Sequence, residues 1–130
     1  MLKARDVMTT KVITISPEAA LVDVVELLDA KGITGVPVVD ANEKVIGIIT
    51  EKDILNFAYT HVANLQNTKV SEAMTEKVIS FTSDTDLDKI SLCFSKSDIR
   101  RVPIIDKDKL VGIISRKDLI HSLISHHFKL

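Results

Sequence analysis

Two short stretches carry the residue types that could do chemistry, and they are copies of each other. Gly47-Ile-Ile-Thr-Glu-Lys-Asp53 recurs as Gly112-Ile-Ile-Ser-Arg-Lys-Asp118, with five of the seven residues identical. In each, an apolar run ends in a hydroxyl, and a carboxylate follows three residues later. Thr50 with Asp53, and Ser115 with Asp118, come close to a capping box, in which hydroxyl and acid satisfy the unpaired amides of a helix start. The same position has a second use. A helix N-terminus directly after a strand offers free amides and a dipole to phosphate, and a carboxylate beside it can accept hydrogen bonds from two ribose hydroxyls. Either copy taken alone reads as a cap. Position after a strand, and the doubling, turn the reading toward a nucleotide site.

The elements that must position these residues are repeated as well. Met8-Thr-Thr-Lys-Val-Ile13 matches Met74-Thr-Glu-Lys-Val-Ile79, and Val36-Pro-Val-Val-Asp40 matches Val102-Pro-Ile-Ile-Asp106. Residues 7–59 align with 73–124, one residue being lost from the second copy between Asp106 and Gly112. The expected organisation is repeat 1 over 1–59, a linker over 60–69 and repeat 2 over 70–130. Each repeat reads strand, helix, strand, strand, helix, an α/β (α+β) fold of two pseudo-symmetric β-α-β-β-α units packed through small sheets. Val12–Ile15 and Val78–Phe81 are short β-branched strands. Ser16-Pro17-Glu18 predicts a helix starting at the proline, with Leu21, Val24, Val25 and Leu28 on its apolar face and Gly32 as its stop. Ser83-Asp-Thr-Asp86 predicts the acidic cap of a helix bearing Leu87, Ile90 and Phe94. Val36–Val39 with Val45–Ile49, and Val102–Ile105 with Leu110–Ile114, are apolar strand pairs. Helices follow from Glu51 to Tyr59 and through Leu119, Ile120, Leu123 and Ile124. The glycines just upstream, Gly47 and Gly112, fit close packing or a bulge.

Composition narrows the function. Of 130 residues, 45% are hydrophobic and 27% charged, with 17 basic and 18 acidic residues interspersed. That is a globular chain without the basic stripe that duplex binding needs, so no nucleic-acid partner is expected. No apolar run approaches a membrane span, and Lys3, Arg5 and Asp6 interrupt any signal-like start. A single cysteine, Cys93, excludes an internal disulfide and fits a cytoplasmic location. Cys93 falls on the apolar side of its helix and reads as core. His121, His126 and His127 lack the spacing and companions of a metal set. No triad or carboxylate pair is legible, so neither catalysis nor a catalytic cofactor or metal is expected.

The repeated hydrophobic-Pro-hydrophobic-hydrophobic-Asp strand, the Gly-x-x-Thr/Ser-x-x-Asp motif and the order of elements together resemble tandem domains named after cystathionine β-synthase (CBS). The resemblance covers nearly the whole chain. It implies a Bateman module: two repeats about a pseudo-twofold axis with two clefts between them. It further implies a regulatory role, sensing AMP, ADP, ATP or S-adenosylmethionine and signalling to a partner protein or through homodimer geometry. Carried over position by position, one cleft would use Asp118 for ribose, Ser115 and Arg101 near phosphate, Thr10, and Ile33 and Thr34 along adenine. The other would use Asp53 and Thr50, facing Ile99 and Arg100, with Glu76 in the place of Thr10. Gly35 stands where the second copy has Arg101, and Glu51 where it has Arg116. The Asp118 cleft is therefore expected to tolerate phosphate better. The alternative is a ligand-free structural dimerisation module whose motifs serve only as caps.

Overall fold

The computed structural model describes residues 2–60 and 64–128. Its elements run α1 (Ala4–Val7), α2 (Leu21–Lys31), β1 (Gly35–Val39), β2 (Val45–Thr50), α3 (Glu51–Thr60), α4 (Val70–Ala73), α5 (Leu87–Ser95), β3 (Arg101–Asp106), β4 (Lys109–Ser115) and α6 (Arg116–Phe128). β1 pairs antiparallel with β2, and β3 with β4, giving two two-stranded sheets. The mixed helix-and-strand fold in two matching copies is the one the sequence predicts.

The chain forms two compact units, Ile13–Val78 and Met1–Val12 with Ile79–Leu130. We call them the Asp53 unit and the Asp118 unit. In the Asp53 unit, Leu21, Val24 and Leu28 of α2 pack with Val36 and Val38 of β1, Ile49 of β2, Ile54 of α3 and Val70 of α4. In the Asp118 unit, Leu87, Ile90 and Phe94 of α5 pack with Val102 and Ile104, Ile114, Leu119 of α6 and Ala4 of α1. Burying each large side chain stabilises its unit by about 1.5–3 kcal/mol relative to exposure.

Each unit thus takes its leading segment from the other repeat. Thr75 and Ile48 exchange backbone hydrogen bonds in the Asp53 unit, at 2.8 and 2.9 Å, and Thr9 and Ile113 do so in the Asp118 unit, at 2.9 and 3.0 Å. The residues after α3 also serve α2. The carbonyls of Thr68 and Leu65 accept from the amides of Leu21 and Val22, so two otherwise unpaired donors of that helix are met by backbone.

Several local expectations are corrected. Val12–Ile15 and Val78–Phe81 are not strands of length. Each is an extended segment held by one parallel bridge, Ile15 to Val38 and Phe81 to Ile104. The amides of Ile15 and Val39 bond to the carbonyls of Pro37 and Ile15, at 3.1 and 3.0 Å. One step back along the ladder the donor would be Pro37, which has no N–H, and Pro103 stops the second copy alike. α2 begins at Leu21 rather than Pro17, because the amide of Ala20 is capped by Asp23 at 3.2 Å. Ser16 instead closes a turn, its hydroxyl accepting from the amide of Glu18. Asp86 holds the N-cap position of α5 without a side-chain cap bond; it pairs with Lys3, and Asp84 with Arg5. Of the apolar residues expected to line one face of α6, Leu119 alone is buried; Ile120, Leu123 and Ile124 are 55%, 42% and 36% exposed. Val25 on α2 is also exposed.

Candidate nucleotide-binding site

Each motif is assembled without a loop. β2 ends at Thr50 and α3 begins at the next residue; β4 ends at Ser115 and α6 begins likewise. The amide of Thr50 donates to Asp53 Oδ2 at 2.9 Å, and the amide of Asp53 donates back to Thr50 Oγ1 at 3.2 Å. The second copy repeats this: Ser115 N to Asp118 Oδ2 at 2.9 Å, and Asp118 N to Ser115 Oγ at 3.1 Å. Both are complete reciprocal caps. The glycines before them are explained by contact. A Cβ on Gly47 would lie 2.8 Å from Met74 Sδ and 2.9 Å from the carbonyl oxygen of Thr75, and one on Gly112 would collide with Met8. A bulge accompanies both, between Val38 and Val39 and between Ile104 and Ile105.

The cap uses one carboxylate oxygen and leaves the other, and here the copies differ. Asp53 Oδ1 accepts from the hydroxyl of Thr75 at 2.8 Å, and its Oδ2 also accepts from Thr50 Oγ1 at 3.0 Å. Among the described residues Asp118 Oδ1 accepts no hydrogen bond, although Thr9 occupies the position matching Thr75. Thr75 is a feature that motif reading passed over; the signal for it was the Met-Thr pair repeated at Met8-Thr9 and Met74-Thr75.

The neighbours of each helix start lie in the same unit. The first amide of α3 donates to the carbonyl of Thr34, and that of α6 to the carbonyl of Arg100, both at 3.0 Å. Ile33, Thr34, Thr50, Asp53 and Glu76 therefore belong to the Asp53 unit. Thr10, Ile99, Arg100, Arg101, Ser115 and Asp118 belong to the Asp118 unit. Arg116 does not extend freely beside its helix start: its Nε donates to the carbonyl of Ile99 at 2.8 Å and its Nη2 to that of Ser97 at 3.3 Å. It ties down the loop that carries Ile99 and Arg100.

The remaining candidates fall away from this chemistry. Cys93 is a free thiol, half-buried on α5. His121 is exposed, and the side chains of His126 and His127 lie outside the described residues. An open groove of about 660 Å³ lies between α2 and α3, lined by Glu51 and Thr34 among others but by neither Thr50 nor Asp53. Asp106, the acid ending the strand motif, has another task. It accepts from both the hydroxyl and the amide of Ser83, and those bonds, the hydroxyl's first, hold its carboxyl below the ordinary range.

The family model described as "CBS domain" matches residues 4–59 and again 70–125. The chain belongs to the CBS-domain family. Solved CBS structures superpose on almost all of it. The Vibrio cholerae protein AcuB is 32% identical with a TM-score of 0.89, over 97% of this chain and 93% of that one. CBSX2, solved in complex with AMP, is 25% identical with a TM-score of 0.87, over 97% and 98%. The CBS domain pair of protein MJ0100, solved with 5-methylthioadenosine and S-adenosyl-L-methionine, is 27% identical with a TM-score of 0.82, over 97% and 98%. Among curated relatives, the chain is 29% identical over 119 residues to inosine-5'-monophosphate dehydrogenase of Methanocaldococcus jannaschii, of which it spans 23%. Homologous CBS pairs thus bind adenosine compounds, and no helix among the described residues is long and apolar enough to cross a membrane.

Proposed function

We propose that this CBS pair is a regulatory module that binds an adenosine nucleotide (AMP, ADP, ATP or S-adenosylmethionine) and reports it through a partner protein or through the geometry of a homodimer. It is a binding module and not an enzyme, and its single cysteine fits a cytoplasmic setting. The observation carrying this reading is Asp118: a carboxylate fixed at a helix start through Oδ2, with no donor to Oδ1 among the described residues. In this reading Asp118 accepts from the ribose hydroxyls, Ser115 and Arg101 serve the phosphate, and Thr10, Ile33 and Thr34 complete the site. The second site uses Asp53 and Thr50 with Ile99, Arg100 and Glu76. AMP in CBSX2 and S-adenosyl-L-methionine in the MJ0100 pair support the ligand class.

A thermal-shift panel of AMP, ADP, ATP and S-adenosylmethionine tests it. A ligand at 100 times its dissociation constant adds about 2.7 kcal/mol of stability, an easily resolved rise in Tm. No rise with any of the four, on folded protein, rejects nucleotide sensing. The second reading, a ligand-free dimerisation module, draws on the completeness of both caps, and it predicts that flat result.

A further inference from the structure

Residues 2–9 of the Asp118 unit are tied down differently from their counterpart, residues 68–75 of the Asp53 unit. The backbone bonds match. The amides of Ala4 and Arg5 donate to the carbonyls of Thr85 and Ser83 at 2.9 and 3.0 Å, and that of Leu87 to Leu2 at 2.9 Å. In the counterpart, Val70 and Ser71 donate to Ala19 and Pro17 at 2.8 and 3.1 Å, and Leu21 to Thr68 at 2.9 Å. The side chains do not match. Lys3 and Arg5 pair with Asp86 and Asp84, whereas the counterpart has one such pair among the described residues, Lys69 with Glu18. The fully buried anchor is Ala4 in the first and the larger Val70 in the second.

The helix that receives each segment differs too. At α2, Asp23 caps the amide of Ala20 at 3.2 Å. At α5 the matching position is Lys89, which has no oxygen to offer. Asp86 stands at the N-cap of α5, where an aspartate ordinarily accepts from the second or third amide of its helix. It makes no such bond and holds Lys3 instead. We propose that residues 2–9 are a charge-latched clasp that opens while the rest of the Asp118 unit stays folded, Asp86 exchanging Lys3 for the start of α5. Both ion pairs are partly exposed, and salt screens them. The freed carboxylate turns to the amide of Asp88, so the open state has a capped helix. The backbone pair of Thr9 with Ile113 goes with the clasp, baring β4 two residues ahead of Ser115. Ionic strength thereby acts on the strand that ends in the Asp118 motif. This inference does not rest on nucleotide binding.

Native-state hydrogen exchange on the full chain, read amide by amide, tests it. Raising NaCl from about 20 mM to about 0.5 M is expected to speed exchange at Ala4, Arg5 and Thr9 about fivefold. Val70, Ser71 and Thr75 should respond clearly less, and Val102 and Ile114 should stay slow, which shows that the unit remains folded. Lys3→Gln with Arg5→Gln is expected to give the same acceleration at low salt and to abolish the salt response. Asp86→Asn and Asp86→Ala both remove the charge that holds Lys3, but only asparagine can cap α5 in the open state. The clasp amides should therefore exchange about threefold faster in Asp86→Asn than in Asp86→Ala. Equal rates in those two variants, an equal salt response in both leading segments, or exchange at Ala4 no faster than at Val102 overturns the proposal.

Discussion

At the level of single residues, the duplicated motif hides an asymmetry that decides how each copy behaves. Asp53 has both oxygens engaged, with Thr75 on Oδ1, whereas among the described residues nothing donates to Asp118 Oδ1. The hydroxyl of Thr75 competes with a ribose hydroxyl for Asp53 Oδ1. Removing it with Thr75→Val is expected to strengthen AMP binding at the Asp53 site by about 1 kcal/mol, the net worth of one such bond, and isothermal titration should show the weaker of two binding steps tightening. Asp118→Asn is expected to do the reverse at its own site, about a tenfold loss of affinity, while the cap it forms with Ser115 survives and Tm falls little. Unchanged affinity in Asp118→Asn would instead mark Asp118 as a cap alone. Asp106 gives a pH prediction. Its folded-state carboxyl titrates below the ordinary value of 3.8 because Ser83 donates to it. The stabilisation it contributes is therefore present above that value and lost as pH falls through the depressed one. Ser83→Ala should flatten the acid limb of the stability curve below about pH 4 and leave the neutral-to-alkaline limb unchanged in slope. An unaltered acid limb would show that the Ser83 bond does not reach the titration.

At the level of elements, what was legible followed from local periodicity, and what was not depended on distant partners. The apolar spacing of α5, that of α2 apart from the exposed Val25, and the β-branched runs of β1 to β4 are properties of a few neighbouring residues, and they read correctly. The start of α2 did not, because Ser16 and Pro17 form a good local start signal, yet Leu65 and Thr68 supply the acceptors that place the first turn at Leu21. The leading segments fall short of strands for a similar reason. Val12–Ile15 has strand propensity, but its ladder is ended by Pro37 on the neighbouring strand. Periodicity placed Leu119, Ile120, Leu123 and Ile124 on one face of α6, but it does not say what covers a face, and the last three are exposed. The glycines were read as packing or bulge, and the structure contains both. Gly47→Ala should be the costlier substitution, roughly 1–3 kcal/mol as overpacking, since its Cβ meets the backbone oxygen of Thr75 as well as Met74. The nearest atoms to a Cβ on Gly112 belong to the side chain of Met8, whose outer atoms can move. Chemical denaturation of the two variants should rank them in that order, and the reverse ranking would count against the packing account.

At the level of the whole chain, the repeats of the sequence and the compact units of the fold divide the molecule differently. The family match places Val70 in the second copy, but its side chain is fully buried with Leu21, Val24 and Ile49, among elements of the first. Met8, from the first copy, packs against Gly112 of the second. Sequence could not disclose this exchange. The internal match reports which residues correspond, and correspondence is indifferent to whether Thr9 pairs with its own repeat's strand or its sister's. The consequence is that neither repeat owns a complete core, so damage in one sequence copy should appear in the other copy's sheet. Val70→Ala is expected to cost roughly 2 kcal/mol through the cavity it leaves. Native-state hydrogen exchange should then quicken for the amides of β1 and β2, Val38 and Ile49 among them, before those of Val102 and Ile114 respond. Because opening free energies differ between cooperative regions, the order is measurable even if both units finally unfold together. Acceleration confined to β3 and β4 would mean that the leading segments stay with their own repeats, and the exchange of segments would have to be abandoned.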